Sequence, residues 1–285
     1  QLRPTAHHFA MSTWMLSLAV ASAAAASSAT SRSSTARVVD SALRVPLSLR
    51  GGQASDAPPT TNALSRDEIT QKMNAIPAFC IVNEKGGMVG VRGKEDGVEA
   101  INWFTDAAEA KAILAVMREH NPGVSLHLGV HGLGTAFRLC KGWPEEEAIA
   151  QMQTDSEKPF TGELRLQGNM PLLKETSPRL LELLADAGID AGAWQLPIFL
   201  CEELQSPNIL PVFLSPQDLA ATWEKSGRTK EELPEGITMM DLRMLVAQMQ
   251  TEDNPWRIVQ FVGSQEAYEL VSELQGEGGA DAKTA

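Results

Sequence analysis

The chain has 285 residues, 43% of them hydrophobic, which suffices for one large domain or two small ones and excludes disorder throughout. Its formal charge of -12 and pI near 4.9 exclude a phosphate-tracking surface, because a nucleic-acid binder needs clustered Lys and Arg to displace counterions. Cys80, Cys140 and Cys201 stand far apart with no CxxC pair, so they supply neither a redox motif nor a zinc knuckle and read as small buried apolar residues.

From Met11 the chain reads MSTWMLSLAVASAAAASS, with an apolar run from Trp14 to Ala26 that is too short to span a bilayer. It has the form of a signal-peptide core over about 11–26, with Ala21-Ser22-Ala23 as a small-x-small cleavage pattern. Residues 27–52 are rich in Ser, Thr and Ala, carry Arg32, Arg37, Arg44 and Arg50, and have Asp40 as their only acid, which is transit-peptide composition. Signal followed by transit predicts a bipartite leader, and with it a plastid inside extra membranes. GGQASDAPPTTNA then reads as a linker, so that 1–64 form presequence and linker. The remainder carries 19 basic and 34 acidic residues, a net of -15.

Ser65 and Glu68 predict a capping box opening a helix, followed by a strand over Ile76–Val82. A second strand ends in Trp103-Phe104, and Thr105 caps a helix with Ala110, Ile113, Leu114 and Met117 at helical spacing. The order recurs downstream. Ser177-Pro178 predicts a helix cap, with Leu180, Leu181 and Leu184 on one face, before a strand over Leu196–Cys201. Leu210–Leu214 precedes Ser215-Pro216, with Leu219, Ala220 and Trp223 following. Third strands are expected at Val124–Leu128 and Ile237–Met240, the second leading into a helix with Leu242, Leu245, Val246 and Met249 aligned. Each half closes with a strand and a helix: Ala136–Cys140 before Glu145–Met152, and Arg257–Phe261 before Gln265–Leu274. The expected fold is α/β (α+β), with halves at about 65–160 and 177–275 related by an internal duplication and a pseudo-twofold axis. Each half is a small antiparallel or mixed sheet packed with helices, and 276–285 form a polar, disordered tail.

Chemistry is sparse along this chain. His127 and His131 would share a face of a helix, but their segment reads as a strand end and a Gly-rich turn with no HExxH pattern, so no metal site is expected. Gly129, Gly132 and Gly134 lack the GxGxxG order and read as a shortened turn. The run Glu145-Glu146-Glu147 suits the first turn of a helix. No catalytic residue and no cofactor site is predicted.

Six segments, in order, carry a resemblance: IPAFCIVNEKG, WFTDAAEAKAILAVMREHNPG, TAFRLCKGWPEEEAIAQM, LPIFLCEEL, LPVFLSPQDLAATW and WRIVQFV. Together they resemble the Tic22 family of plastid protein-import factors across about 65–263. The chain departs from the family between Leu126 and Thr135, where the connection is shortened to LHLGVHGLGT and implies a first half with one helix fewer. The resemblance implies a soluble, non-enzymatic, chaperone-like escort of precursor proteins in the plastid envelope intermembrane space. It implies as partners precursors with basic transit peptides and envelope translocon components, with no nucleic acid and at most peripheral membrane contact. The alternatives are a scaffolding subunit of the translocon and, behind it, an enzyme with a cryptic site. Retention of varied clients needs apolar area, expected as a groove near Trp194, Phe199, Trp223, Met239 and Met240; core filling is the competing reading of these residues.

Overall fold

The computed structural model describes residues 62–92, 98–143, 162–234, 236–252 and 255–281; the expected leader and linker up to residue 61 and the helix expected at Glu145–Met152 lie outside them. Helix α1 (Arg66–Met73) opens on the expected capping box, with Ser65 Oγ accepting the Glu68 N–H and the Glu68 carboxylate accepting the Ser65 N–H at 2.8 Å. The first sheet contains β1 (Pro77–Asn83), the short β2 (Val91–Arg92), β3 (Glu99–Phe104), β4 (Leu126–Gly132) and β5 (Glu163–Gln167). The second contains β6 (Pro197–Leu200), β7 (Leu210–Phe213), β8 (Thr238–Asp241) and β9 (Val259–Val262).

Leaving β2 aside, one plan serves both sheets. The orders are β5-β3-β1-β4 and β9-β7-β6-β8. In each, the two inner pairings of the first strand are antiparallel and the last strand joins in parallel. Phe79 lies opposite Phe104, and Phe199 opposite Phe213, with all four buried. The helices are α2 (Ala107–His120), α3 (Leu133–Leu139), α4 (Met170–Asp186), α5 (Pro216–Lys225), α6 (Leu242–Met249) and α7 (Gln265–Asp281).

Strand periodicity divides the core into layers. Ala78, Cys80, Ile101 and Trp103 share a core with Ile198, Leu200, Leu210 and Val212, joining the two sheets through α1, α3 and α6. The intervening residues Phe79, Ile81 and Phe104 pack on α2 and α7, while Phe199 and Phe213 pack on α5. Both faces of the inner strands are covered, so they read as unbroken apolar runs instead of alternating ones. The halves also exchange helices: α4 follows β5 but packs on β6 and β8, and α7 follows β9 but packs on β1 and α2.

Several expectations are corrected. Ala136–Cys140 is not a strand but belongs to α3 and its cap, because the buried side chains of Leu133, Ala136, Phe137 and Cys140 recur at i, i+3, i+4 and i+7, with Gly134 buried beside them. The first half closes with β5 instead. The Gly-rich stretch is no turn either, since Gly129 lies within β4 and Gly134 within α3. The first half therefore has its third helix. Helix α4 begins at Met170, seven residues before Ser177, because Asn169 Oδ1 accepts the Leu172 N–H at 3.0 Å and Pro171 suits the first turn. Pro178 is absorbed inside the helix, and Leu181 is exposed while Leu180 and Leu184 are buried. Asp106, not Thr105, caps α2 by accepting the Glu109 N–H. Helix α7 runs on to Asp281, into the stretch expected to be a tail.

Candidate functional site

Of the five residues expected to line a client groove, Trp194, Phe199, Trp223 and Met240 are buried and Met239 is half-buried. The fold divides them. Met239 and Met240 are neighbours on β8 and so point to opposite faces: Met240 joins Trp194 in the core between the sheets, and Met239 joins Phe199 and Trp223 under α5. Both indoles are anchored. Trp194 Nε1 donates to Cys140 O at 2.9 Å, and Trp223 Nε1 donates to Thr229 O at 2.8 Å with the Arg228 guanidinium 4.3 Å above its ring. In this conformation the set lines no open groove, for the physical reason that β6 and β8 are covered on both faces.

Trp194 sits where the halves meet. Its ring lies 5.9 Å from Phe137, which in turn meets Trp143 edge-on at 4.8 Å. Beside it is a buried ion pair that the sequence reading passed over. Asp241 caps α6 by accepting the Arg243 N–H at 2.9 Å and also accepts Arg243 Nε at 2.8 Å and the Leu196 N–H at 3.1 Å. The guanidinium donates further to the carbonyls of Asp190, Ala191 and Trp194 and lies 4.6 Å from the Trp194 ring. Every arm of the pair is satisfied, which makes it structural. An Asp directly before an apolar helix was the available signal.

Two adjoining shallow hollows, of about 300 and 420 Å³, run between α1 and the outer edge of β9 and share Gln71, Lys72 and Arg257. Lys72 Nζ donates to Val259 O at 3.0 Å, and burial, reinforced by Arg257, holds its ammonium below the usual lysine range. Arg257 reaches Glu68 at 3.5 Å. The lining contains no Ser, Cys or His.

His127 and His131 lie on β4 opposite Val82 and Ala78, four pairs apart in register and on one face, and burial lowers the His131 pKa. Among the described residues no group of three or more His, Cys, Asp or Glu could hold a metal, and no helix is long and apolar enough to cross a membrane. The three thiols are free and buried, and burial pushes Cys80 up to about 12 and, with the Glu203 carboxylate beside it, Cys201 up to about 11.

No protein-family model matches the chain, and no curated protein matches its sequence. Solved structures do. Tic22 from Plasmodium falciparum superposes with a TM-score of 0.50 and 20% identity over 73% of this chain and 97% of that one. Anabaena Tic22 (protein transport) gives a TM-score of 0.44 and 18% identity over 74% and 97%. The Plasmodium likeness establishes a shared fold over 73% of this chain.

Proposed function

We propose that this chain is a Tic22-type protein-import factor, a non-enzymatic escort of precursor polypeptides in the envelope intermembrane space of a plastid bounded by extra membranes. The observation that carries this reading is the fold, shared with Plasmodium Tic22 over nearly the whole of that chain. Three features of the sequence agree with it: the signal-like and transit-like composition of 1–52, the net charge of -15 beyond residue 64, and the ordered series of six resembling segments. The common strand order of the two sheets supports an origin by internal duplication.

Client capture through Trp194, Phe199, Trp223, Met239 and Met240 would require both the α5 side of the second sheet and the core between the sheets to open, since Met239 alone of the five is not buried. That burial is the specific observation favouring the second reading, a scaffolding subunit held in an envelope translocon. One experiment separates them. Photocrosslinking of the tagged chain in intact plastids is expected to recover varied precursor peptides. Recovery of translocon subunits alone assigns the scaffold role, and a stromal or cytosolic location refutes both.

A further inference from the structure

Backbone directions along β1 decide what β4 presents to its surroundings. Val89 N–H donates to Ile81 O and Asn83 N–H donates to Gly87 O, so the odd-numbered residues of β1 turn their backbone groups away from β4. Ala78, Cys80 and Val82 therefore bond to His131, Gly129 and His127, their partners in register. Leu128 and Val130 are left pointing off the sheet, each with one backbone donor and one acceptor. Leu126 shares that direction, and its carbonyl accepts Arg118 Nε and Nη2 at 2.9 and 2.6 Å. Among the described residues no strand lies beyond β4.

Every edge carries some guard, and on β4 it is α2, whose Arg118 covers the outward carbonyl of Leu126 and leaves Leu128 and Val130. Helix α4 packs on β8, Lys72 donates to the Val259 carbonyl of β9, and β5 carries the Glu163–Arg165 ion pair. Strand β2 has only two residues. Strand β4 has seven, LHLGVHG, without Lys, Pro or an acid, and Val130 on it is 39% exposed.

We propose that this outer edge of β4 holds an extended segment of a basic precursor polypeptide, which adds to the first sheet as a further strand. The proposal rests on the import reading above and names its client site. Strand addition draws affinity from main-chain hydrogen bonds and so tolerates varied side chains, as an escort of many precursors requires. Charge selects the occupant. A chain with a net charge of -15 beyond residue 64 attracts a basic, acid-poor segment at long range and opposes the approach of a second acidic copy.

The test is amide hydrogen exchange on the purified full chain with and without a synthetic basic transit peptide. The Leu128 and Val130 amides are expected to exchange at least about tenfold more slowly with peptide bound. Val130→Pro, which removes one outward donor, is expected to weaken binding by about tenfold with an unchanged near-UV spectrum. Should that variant misfold, exchange on the wild type decides. Binding without protection at Leu128 and Val130 overturns the site and leaves the import reading standing. Absence of binding by any transit peptide at low salt overturns both. Protection without peptide, together with sedimentation as a dimer, assigns the edge to a second copy and also overturns the proposal.

Discussion

Gly132 lies opposite Pro77 at the end of β4, and Asp241 lies opposite Pro197 at the end of β8. The next residue bonds alike in both, Leu133 N–H donating to Ile76 O at 2.8 Å and Leu242 N–H to Leu196 O at 2.9 Å. From there the halves diverge. In the first, the cap comes from another helix: Asn74, at the end of α1, accepts the Thr135 N–H at 3.0 Å. A Cβ on Gly132 would collide with Asn74, and one on Gly134 with the Thr70 carbonyl, so α1 lies against α3 only because both positions are glycine. In the second, Asp241 caps its own helix, and Arg243, in the place of Gly134, clasps the carbonyls of residues 190, 191 and 194. The lesson concerns the approach to the sheet. Helix α1 ends at Met73, directly before β1, whereas α4 ends at Asp186, and the longer connection to β6 leaves a space that a buried ion pair fills.

The largest effect is expected from Asp241→Ala, which leaves the Arg243 charge buried beside Trp194. Equilibrium denaturation should show a loss of about 3 to 5 kcal/mol, as breaking a buried pair does. A loss under about 1 kcal/mol would erase the contrast between the halves. Gly134→Ala comes next. Its Cβ meets backbone, not a movable side chain, and about 1 to 3 kcal/mol is expected from the forced separation of α1 and α3. If that variant is as stable as the wild type in urea, the close helix contact is not what holds the first junction. Asn74→Ala removes the borrowed cap and should cost about 1 kcal/mol, measurable as a shift in the thermal midpoint.

The smallest effect belongs to Asp218, in the first turn of α5. Burial, then the neighbouring Glu266 and Asp106, raise its carboxyl above the ordinary 3.8. The folded chain thus keeps this proton to a higher pH than the unfolded chain. Between the two values it binds more protons, and stability falls as pH rises through the raised pKa. Asp218→Asn should therefore gain thermal stability over the wild type as pH rises from about 4 to about 7. A gap that narrows over this range would refute the assignment.

Much of the fold was legible because local chemistry announced it. The Ser65–Glu68 capping box, the Ser215-Pro216 helix start, and the aligned Leu242, Leu245, Val246 and Met249 each occur where periodicity and capping residues predict them. The errors share a cause. A run such as AFRLC suits a buried strand or a buried helix equally well, and only its neighbours decide. Strand β5, with Glu163 and Arg165 alternating with Leu164 and Leu166, carries too weak an apolar signal to be noticed. Of the site, aromatic and Met content was visible, but adjacency in sequence was mistaken for adjacency in space: Met239 and Met240 are divided by the pleat of β8.

By itself the sequence determined the element types with strong caps or long periodicity, the acidic surface charge, and the order of segments that resembles one family. These depend on residues within a turn or two of each other, or on composition alone. Tertiary structure decided that α3 replaces a strand and that α4 and α7 cross to the opposite sheets. It also decided that four of five groove residues are buried, and that among the described residues no strand lies beyond β4. Each of these depends on what packs across a sheet face or beside a sheet edge, and those partners lie tens of residues away along the chain.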